Sequence, residues 1–535
     1  MSVPSASSLL SITAHARAGA LEQAWAMFRA AGLESVKDDA PVLSVRGRLL
    51  KDSALAAKGA ERRALYLKSA EAYARAADIS GTLYPRINAA SLSLLGGRPD
   101  MARTLARQVI ERGRRGEDGP ETPYWRTATQ AEALLLLGEI QEAKKTFEGA
   151  IALAPRAYED RASTLRQFGL ILDALGQDKS WLDAHRPPKS AHFAGHMALA
   201  SRGGKVEREI RDIIRAERIG FGYGALAAGA DIVIAEALLE TGAELHLVLP
   251  APVAQFRKAS VVRFGSSWAR RFDGILEDKD KVSVRAITRG CDPLSTLAVR
   301  LTTEIAMGSA VMHAATLMSE AVQLLILESS PKGARISGAS VAAGAAWRAG
   351  GRRQHVIQAA RARNVTPPKL ERPSRAHLAA QVRIDPGCVT AESAAAILPR
   401  LARALAALPA TIVSPRWTGE EILLAYDTVP KAASAVLAAA RILKASPGSR
   451  VAGHYAVCES VDDPFGGEAA LVGSAAPVLK EILQTTPPPA AYVSEDFAAA
   501  LHVGPAEGLA RVELVGELPS QAGEEHPMKL YSLRR

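Results

Sequence analysis

Cysteine is nearly absent from this 535-residue chain: Cys291, Cys388 and Cys458 lie far apart and form no CxxC pair. So sparse and odd a set excludes a disulfide framework and a structural zinc site. Aromatic residues are also scarce, at 5%, while alanine is abundant, which favours close-packed helices over an all-β sandwich. No stretch reaches the ~18 uninterrupted apolar residues of a membrane span. Even ALAAGADIVIAEALL is broken by Asp231 and Glu236. The opening residues, MSVPSASSLLSITAHARAG, lack the basic start and apolar run of a signal peptide. These absences lead to the expectation of a cytoplasmic protein with no membrane partner.

The chain is too long for one hydrophobic core, and its 48% hydrophobic content is ample for several. Four stretches are expected: a helical repeat domain over 1–188, a Rossmann-like parallel α/β domain over 189–360, a basic linker over 361–376, and an α+β domain over 377–535. Charge divides along the same line. From His377 onward there are 13 Lys/Arg against 17 Asp/Glu, a net of −4, and the preceding residues carry 53 against 39, or +14. The stretch Arg348–Arg375 holds eight basic residues against Glu371 alone and reads as a solvated linker. Its alternative reading is a nucleic-acid site.

In the first stretch, LLLLGEIQEAKKTFEGAIALAP (134–155) sets Leu137, Gly138, Ala143, Phe147, Ala150 and Pro155 at the spacing of a tetratricopeptide helix pair. Ala24 and Phe28 repeat the pattern, and Ala102 repeats it loosely. Stacked helix pairs of this kind expose a surface that binds protein. In the second stretch, strands alternate with helices, as a parallel sheet covered on both faces requires. IGFGYGALAAGAD (219–231) places Gly220, Gly222 and Ala225 as GxGxxG/A between a strand and a helix. No acidic residue ends the following strand, which argues against a dinucleotide dehydrogenase. The turn serves either a nucleotide-like ligand or tight helix–sheet packing.

The glycine turn, with an earlier one at Gly195-His196, resembles the SLOG superfamily of nucleotide-sensing domains. The repeats joined to it resemble bacterial relatives of the TRAFs-binding region of animal apoptosis signal-regulating kinases. This resemblance implies a nucleotide or nucleotide-derived ligand at Gly195, His196, Gly220, Gly222, Gly224, Gly229 and Asp231. Asp231 and Glu236 also suit helix capping and ion pairing.

The last stretch resembles class III adenylate/guanylate cyclase domains, through RWTGEEILLAYDTVPKAASAVLAAARIL (416–443), VAGHYAV (451–457) and, most closely, TPPPAAYVSEDF (486–497). That family needs two carboxylates for two Mg²⁺ ions, an Asn for the ribose and an Arg for the developing charge. The metal positions fall on Asp385, with Arg383 as the competing alignment, and on Glu420, where the family has Asp. The Asn and Arg positions fall on Pro477 and Glu481, and an anion at Glu481 opposes the charge that must be stabilised. Lys480 lies about 100° round the helix from it. Catalysis is therefore expected to be lost, with no certain cofactor, and Mg²⁺ only if Asp385 and Glu420 still bind it. The expectation is a signalling sensor or scaffold with a protein partner on the repeats and a homodimer through the cyclase-like domain. The alternatives are an active cyclase or nucleotide-processing enzyme, and a nucleic-acid-binding protein.

Overall fold

A computed structural model describes residues 6–17, 21–116, 121–200, 204–287, 295–329, 338–362, 365, 374–388, 390–444, 446, 448–464, 469–504, 510–518 and 527–534. Cys291 and most of the stretch 361–376 lie outside the described residues. The chain falls into two compact units: Met1–Pro187 with Thr316–Met318, and Pro188–Ala315 with Ser319–Arg535.

The first unit is helical, with α1 (Ala6–Arg17), α2 (Leu21–Ala30), α3 (Ala40–Ala56), α4 (Gly59–Ser80), α5 (Leu83–Leu95), α6 (Pro99–Arg114), α7 (Pro123–Leu137), α8 (Ile140–Leu153) and α9 (Tyr158–Leu175). The small residues named from the sequence are where helices meet: Ala24, Ala102, Ala143 and Ala150 are buried, and so are Phe28 and Phe147. Phe147 packs on Phe168 with ring centroids 5.1 Å apart. Gly138 ends α7 at φ 84°, a left-handed cap that costs glycine nothing. Gly47 lets α3 lie on Tyr73 of α4, since a Cβ there would come 2.7 Å from the ring.

The second unit opens with a six-stranded parallel sheet built from β1 (Lys189–Gly195), β2 (Ile219–Gly224), β3 (Glu244–Leu249), β4 (Val282–Ala286), β5 (Ala321–Glu328) and β6 (Gln354–Ala359). Their order is β4-β3-β2-β1-β5-β6. The helices are α10 (Lys205–Glu217), α11 (Ala230–Glu240), α12 (Val253–Ser260), α13 (Ser266–Glu277), α14 (Thr296–Thr316) and α15 (Ala339–Ala349). Gln354–Ala359 is a sheet strand, so the basic stretch starting at Arg348 is not a linker over its first dozen residues. Three of its described arginines show fixed partners. Arg348 donates to Gln354, Arg353 to Glu217, and Arg361 to Glu328. These assignments remove the solvated-linker reading for the described part.

The two faces of this sheet differ in chemistry. Ala191, Phe193, Leu245, Leu247, Val322, Leu324 and Ile326 face an apolar core shared with α10, α11 and α13. The alternate positions carry Ser190, His192, Tyr223, His246, Ser283 and Gln323, by the two-residue period of a strand. Parallel strands buried on both faces usually read as continuous apolar runs, and this sheet departs from that rule on one face. Hydrogen bonds between side chains make the burial tolerable: Gln323 Nε2 to His192 Nδ1 at 2.9 Å, His313 Nδ1 with Ser190 Oγ at 3.1 Å, and His246 Nδ1 with Ser283 Oγ at 2.9 Å.

A mixed sheet completes the unit, with β7 (Ala376–Asp385), β8 (Arg416–Trp417), β9 (Ile422–Tyr426), β10 (Arg450–Asp462), β11 (Ala469–Val472), β12 (Ala490–Ser494), β13 (Arg511–Leu518) and β14 (Met528–Arg534). The order is β13-β14-β12-β10-β7-β9-β8, with β11 paired to β10. Its helices are α16 (Ala391–Ala406), α17 (Val429–Leu443), α18 (Ala475–Thr485) and α19 (Glu495–Leu501). This α+β domain packs on the parallel-sheet domain through α19. A Cβ on Gly308 of α14 would fall on the Ala499 carbonyl oxygen, so only glycine permits the crossing. Tyr455 donates to Glu304 at 2.6 Å. No helix among the described residues is long and apolar enough to cross a membrane.

Candidate functional site

Ligands of open parallel sheets sit at the carboxyl ends of the strands where the sheet order reverses. Here the chain order runs outward in both directions from β1, so that point lies between β1 and β5. Gly195 ends β1 beside Ile326, and a Cβ on it would strike Ala230 at the start of α11. Gly229 precedes α11 at φ 129°, and a Cβ there would lie 2.7 Å from Ala198 N and 2.8 Å from His196 O. These two glycines let the end of β1 cross closely over the N-terminus of α11.

Gly220, Gly222 and Gly224 lie within β2, not in the turn after it. All three point to the apolar face. A Cβ would come 2.5 Å from Pro188 at Gly220, 2.6 Å from Leu238 at Gly222, and 2.5 Å from the Phe193 carbonyl at Gly224. The glycine spacing of two is thus a strand period, and these positions admit α11 and Phe193 against the sheet. The connection to α11 is formed by Ala225–Gly229.

Asp231 stands in the first turn of α11, fully enclosed, with Oδ2 accepting the Ala227 N–H at 3.1 Å. Burial pushes its pKa up to about 7, against the lowering influence of the Ala227 and Gly195 N–H groups. Asp231 thus sets its carboxyl at the N-terminus of α11, where the helix favours an anion and burial opposes one. Glu236 is ion-paired with Arg271. His196 lies between two carbonyls, Nδ1 3.1 Å from Met197 O and Nε2 3.2 Å from Ala359 O. Burial holds its pKa below the ordinary histidine value, and Arg361 adds to this.

Two residues at this crevice were not foreseen. Arg361 donates to Glu328 Oε2 at 2.9 Å and to Met197 O at 2.7 Å, fixing the chain beyond β6 over the end of β1. Glu328 is held below the usual carboxylate range by the Arg361 hydrogen bond. The only available signal was an acidic residue closing an apolar strand. A cavity of about 540 Å³ in the parallel-sheet domain lies elsewhere, among Arg211, Glu236, Arg270 and Arg271 on the helical face.

In the C-terminal domain, Asp385 ends β7 and its Oδ1 accepts the Gly387 N–H at 2.8 Å. Glu420 is exposed in the turn joining β8 to β9. Since β7 pairs with β9 up to Ile384–Ile422, both carboxylates lie at the same end of the sheet. Arg383, two residues before Asp385 on β7, pairs with Glu421 at 3.3 Å and adds a cation to this end of the sheet. Among the described residues, no three His, Cys, Asp or Glu side chains group as metal ligands. Pro477 and Glu481 both lie on α18, one turn apart, with Pro477 and Lys480 exposed. The conspicuous use of the YVSED stretch is different. Glu495 and Asp496 both pair with Arg285 at the end of β4, the former at 2.6 Å.

Comparison with known proteins matches residues 6–93 to the family described as Tetratricopeptide Repeats-Sensor. No curated protein sequence matches the chain. Among solved structures, the chain is similar to the guanylate cyclase domain of RhGC from Catenaria anguillulae in complex with GTP, with 12% identity, TM-score 0.25, and coverage of 30% of this chain and 100% of that one. It is similar to the adenylyl cyclase CyaB from P. aeruginosa at 10% identity and TM-score 0.24, covering 30% and 95%. It is also similar to the catalytic core of a rhodopsin-guanylyl cyclase with converted specificity in complex with ATPαS, at 12% identity and TM-score 0.24, covering 30% and 99%.

Proposed function

We propose that the chain is a non-catalytic signalling scaffold whose helical repeats take a protein partner and whose cyclase-like domain serves as a structural module. The observation that carries this reading is the use made of the YVSED stretch. Its two acidic residues pair with Arg285 of the parallel-sheet domain, so the part of the chain most like a cyclase has a docking role that needs no chemistry. The reading is supported by Arg383, which puts a cation on the strand that carries Asp385 and pairs with Glu421, and by Glu481 standing where the resemblance calls for an arginine. The sensor-repeat match over residues 6–93 supports the partner-binding half. A homodimer through the C-terminal domain belongs to the same reading, and light scattering that finds only monomer at micromolar concentration would remove it.

The direct test incubates the full chain with ATP or GTP and Mn²⁺. The expected result is no cyclic AMP or cyclic GMP above a protein-free blank. Product that disappears with Glu420→Ala would overturn the non-catalytic reading.

A second reading, a nucleotide-derived ligand at the β1–β5 crevice, is favoured by the gathering of His196, Glu328 and Arg361 where the sheet order reverses. A ligand at 100 times its Kd adds about 2.7 kcal/mol to stability. A thermal-shift screen of the full chain against nucleotides is expected to give a hit that Arg361→Ala removes. No shift with any nucleotide would leave the crevice a structural junction.

A further inference from the structure

The C-terminal domain holds a second cavity, of about 440 Å³, between α16, the segment 408–415 and the β8–β9 hairpin. Leu398 and Leu405 of α16, Pro409, Pro415, and Ile422 and Leu424 of β9 give it apolar walls. Helix α16 fully buries only Leu401, although its apolar residues repeat at helical spacing. Trp417, on the rim, is 56% exposed. An apolar wall of this kind on a helix and a hairpin is open to an occupant.

Tyr426 specifies what that occupant must offer. Its side chain forms part of the wall, the residue is 1% exposed, and its hydroxyl makes no hydrogen bond among the described residues. The hydroxyl reaches the cavity, where a ligand oxygen can take the place of water as its partner. Charge is already settled at this place, because the one charged wall residue, Arg416, is ion-paired with Asp463. The volume lies in the ~300–1,000 Å³ range of small-molecule pockets. A stable protein interface would need roughly 20–30 residues a side, more than this wall provides.

We propose that this cavity is a binding site for a small neutral molecule with an apolar body and a single hydrogen-bonding oxygen, received by the Tyr426 hydroxyl. Neither Asp385 nor Glu420, nor any residue of the β1–β5 crevice, lines it, and it stands whether or not the scaffold reading holds.

The test uses the full chain and the fluorophore 6-propionyl-2-(dimethylamino)naphthalene, a neutral apolar ring system with one ketone. Its control is 2-(dimethylamino)naphthalene, which lacks the ketone. The expected result is saturable 1:1 binding with blue-shifted emission. Ala402→Trp, at an exposed wall position, fills the cavity and weakens binding at least about tenfold. Tyr426→Phe keeps the ring packing and weakens only the ketone probe, by about fivefold, as loss of one hydrogen bond does. Circular dichroism and Tm check that each variant is folded. Unsaturable binding, or unchanged affinity in Ala402→Trp, would overturn the proposal. So would equal weakening of both probes by Tyr426→Phe. A change in oligomeric state with Ala402→Trp at constant probe affinity would assign the cavity to a protein partner instead.

Discussion

Arg352 donates to the Val503 carbonyl at 2.8 Å, joining the start of β6 to the C-terminal end of α19. The same guanidinium reaches the His502 and Gly504 carbonyls at 2.6 and 3.3 Å. With Arg285 paired to Glu495 and Asp496, both ends of α19 are held by arginines from the parallel-sheet domain. The acidic pair at the N-terminal end and Arg352 at the C-terminal end have the signs that those helix termini favour.

Arg352→Ala is expected to lower the stability of the second unit by roughly 2 kcal/mol, the order of a charged hydrogen bond lost from a partly buried site. Arg352→Lys should recover less than half, because an ammonium cannot offer a fork to three carbonyls. Denaturant unfolding of the full chain checks both.

Gly308→Ala sets two effects against each other. Alanine favours a helix over glycine by about 1 kcal/mol, while its Cβ would collide with the Ala499 carbonyl. Overpacking costs about 1–3 kcal/mol, so net destabilisation is expected. Ala499→Gly should not rescue it, since the obstacle is backbone. A rise in Tm for Gly308→Ala would show that α14 and α19 do not meet there.

Gly222→Ala is expected to destabilise by about 1–3 kcal/mol for the same reason, but its obstacle is a side chain, Leu238 at 2.6 Å. Leu238→Ala in the same chain should therefore relieve part of the cost, which a double-mutant cycle measures. Additive effects would return Gly222 to consideration as a ligand position.

Stability should fall on acidification. Burial lowers the pKa of His192 to about 3 and those of His246, His313 and His454 to about 4. The unfolded chain takes up these protons near pH 6.5, so their contribution is complete above that pH and lost progressively toward pH 4. Asp231, raised to about 7, acts in the opposite sense: it favours the fold below its unfolded pKa near 4, and that advantage is lost as pH rises to 7. Four groups outweigh one, so Tm at pH 5 should lie below Tm at pH 7.5. His454→Asn should flatten the profile, and Asp231→Asn should steepen it.

The repeats and five strands of the parallel sheet were legible because their signals are local: Ala24 and Phe28 four apart, Ala143 and Phe147 four apart, and apolar runs punctuated by glycine and proline. Strand β6 was not, since Arg352 and Arg353 read as solvated charge. Their partners, Val503 and Glu217, are 151 and 136 residues away. At Gly220, Gly222 and Ala225 a GxGxxG/A pattern draws attention to phosphate, although a spacing of two equally marks one face of a strand, and β2 runs on to Gly224. The polar face was hidden by the expectation that buried parallel strands are apolar throughout. Ser190, His192, Tyr223, His246 and Gln323 do alternate with apolar residues. Only the cover that makes this alternation tolerable comes from distant sequence.

That cover bears on how the protein can be cut. Lys529 acts electrostatically on both His246 and His313, and Glu495 and Tyr531 act on Tyr223, so the C-terminal domain shields the polar face. A fragment ending at residue 360 would lose these neighbours of His246 and Tyr223, the Ala499 backbone at Gly308, and the partners of Arg285 and Arg352. The parallel-sheet domain therefore shares its packing with the C-terminal domain, and a fragment ending at residue 360 is expected to unfold at lower temperature than the full chain.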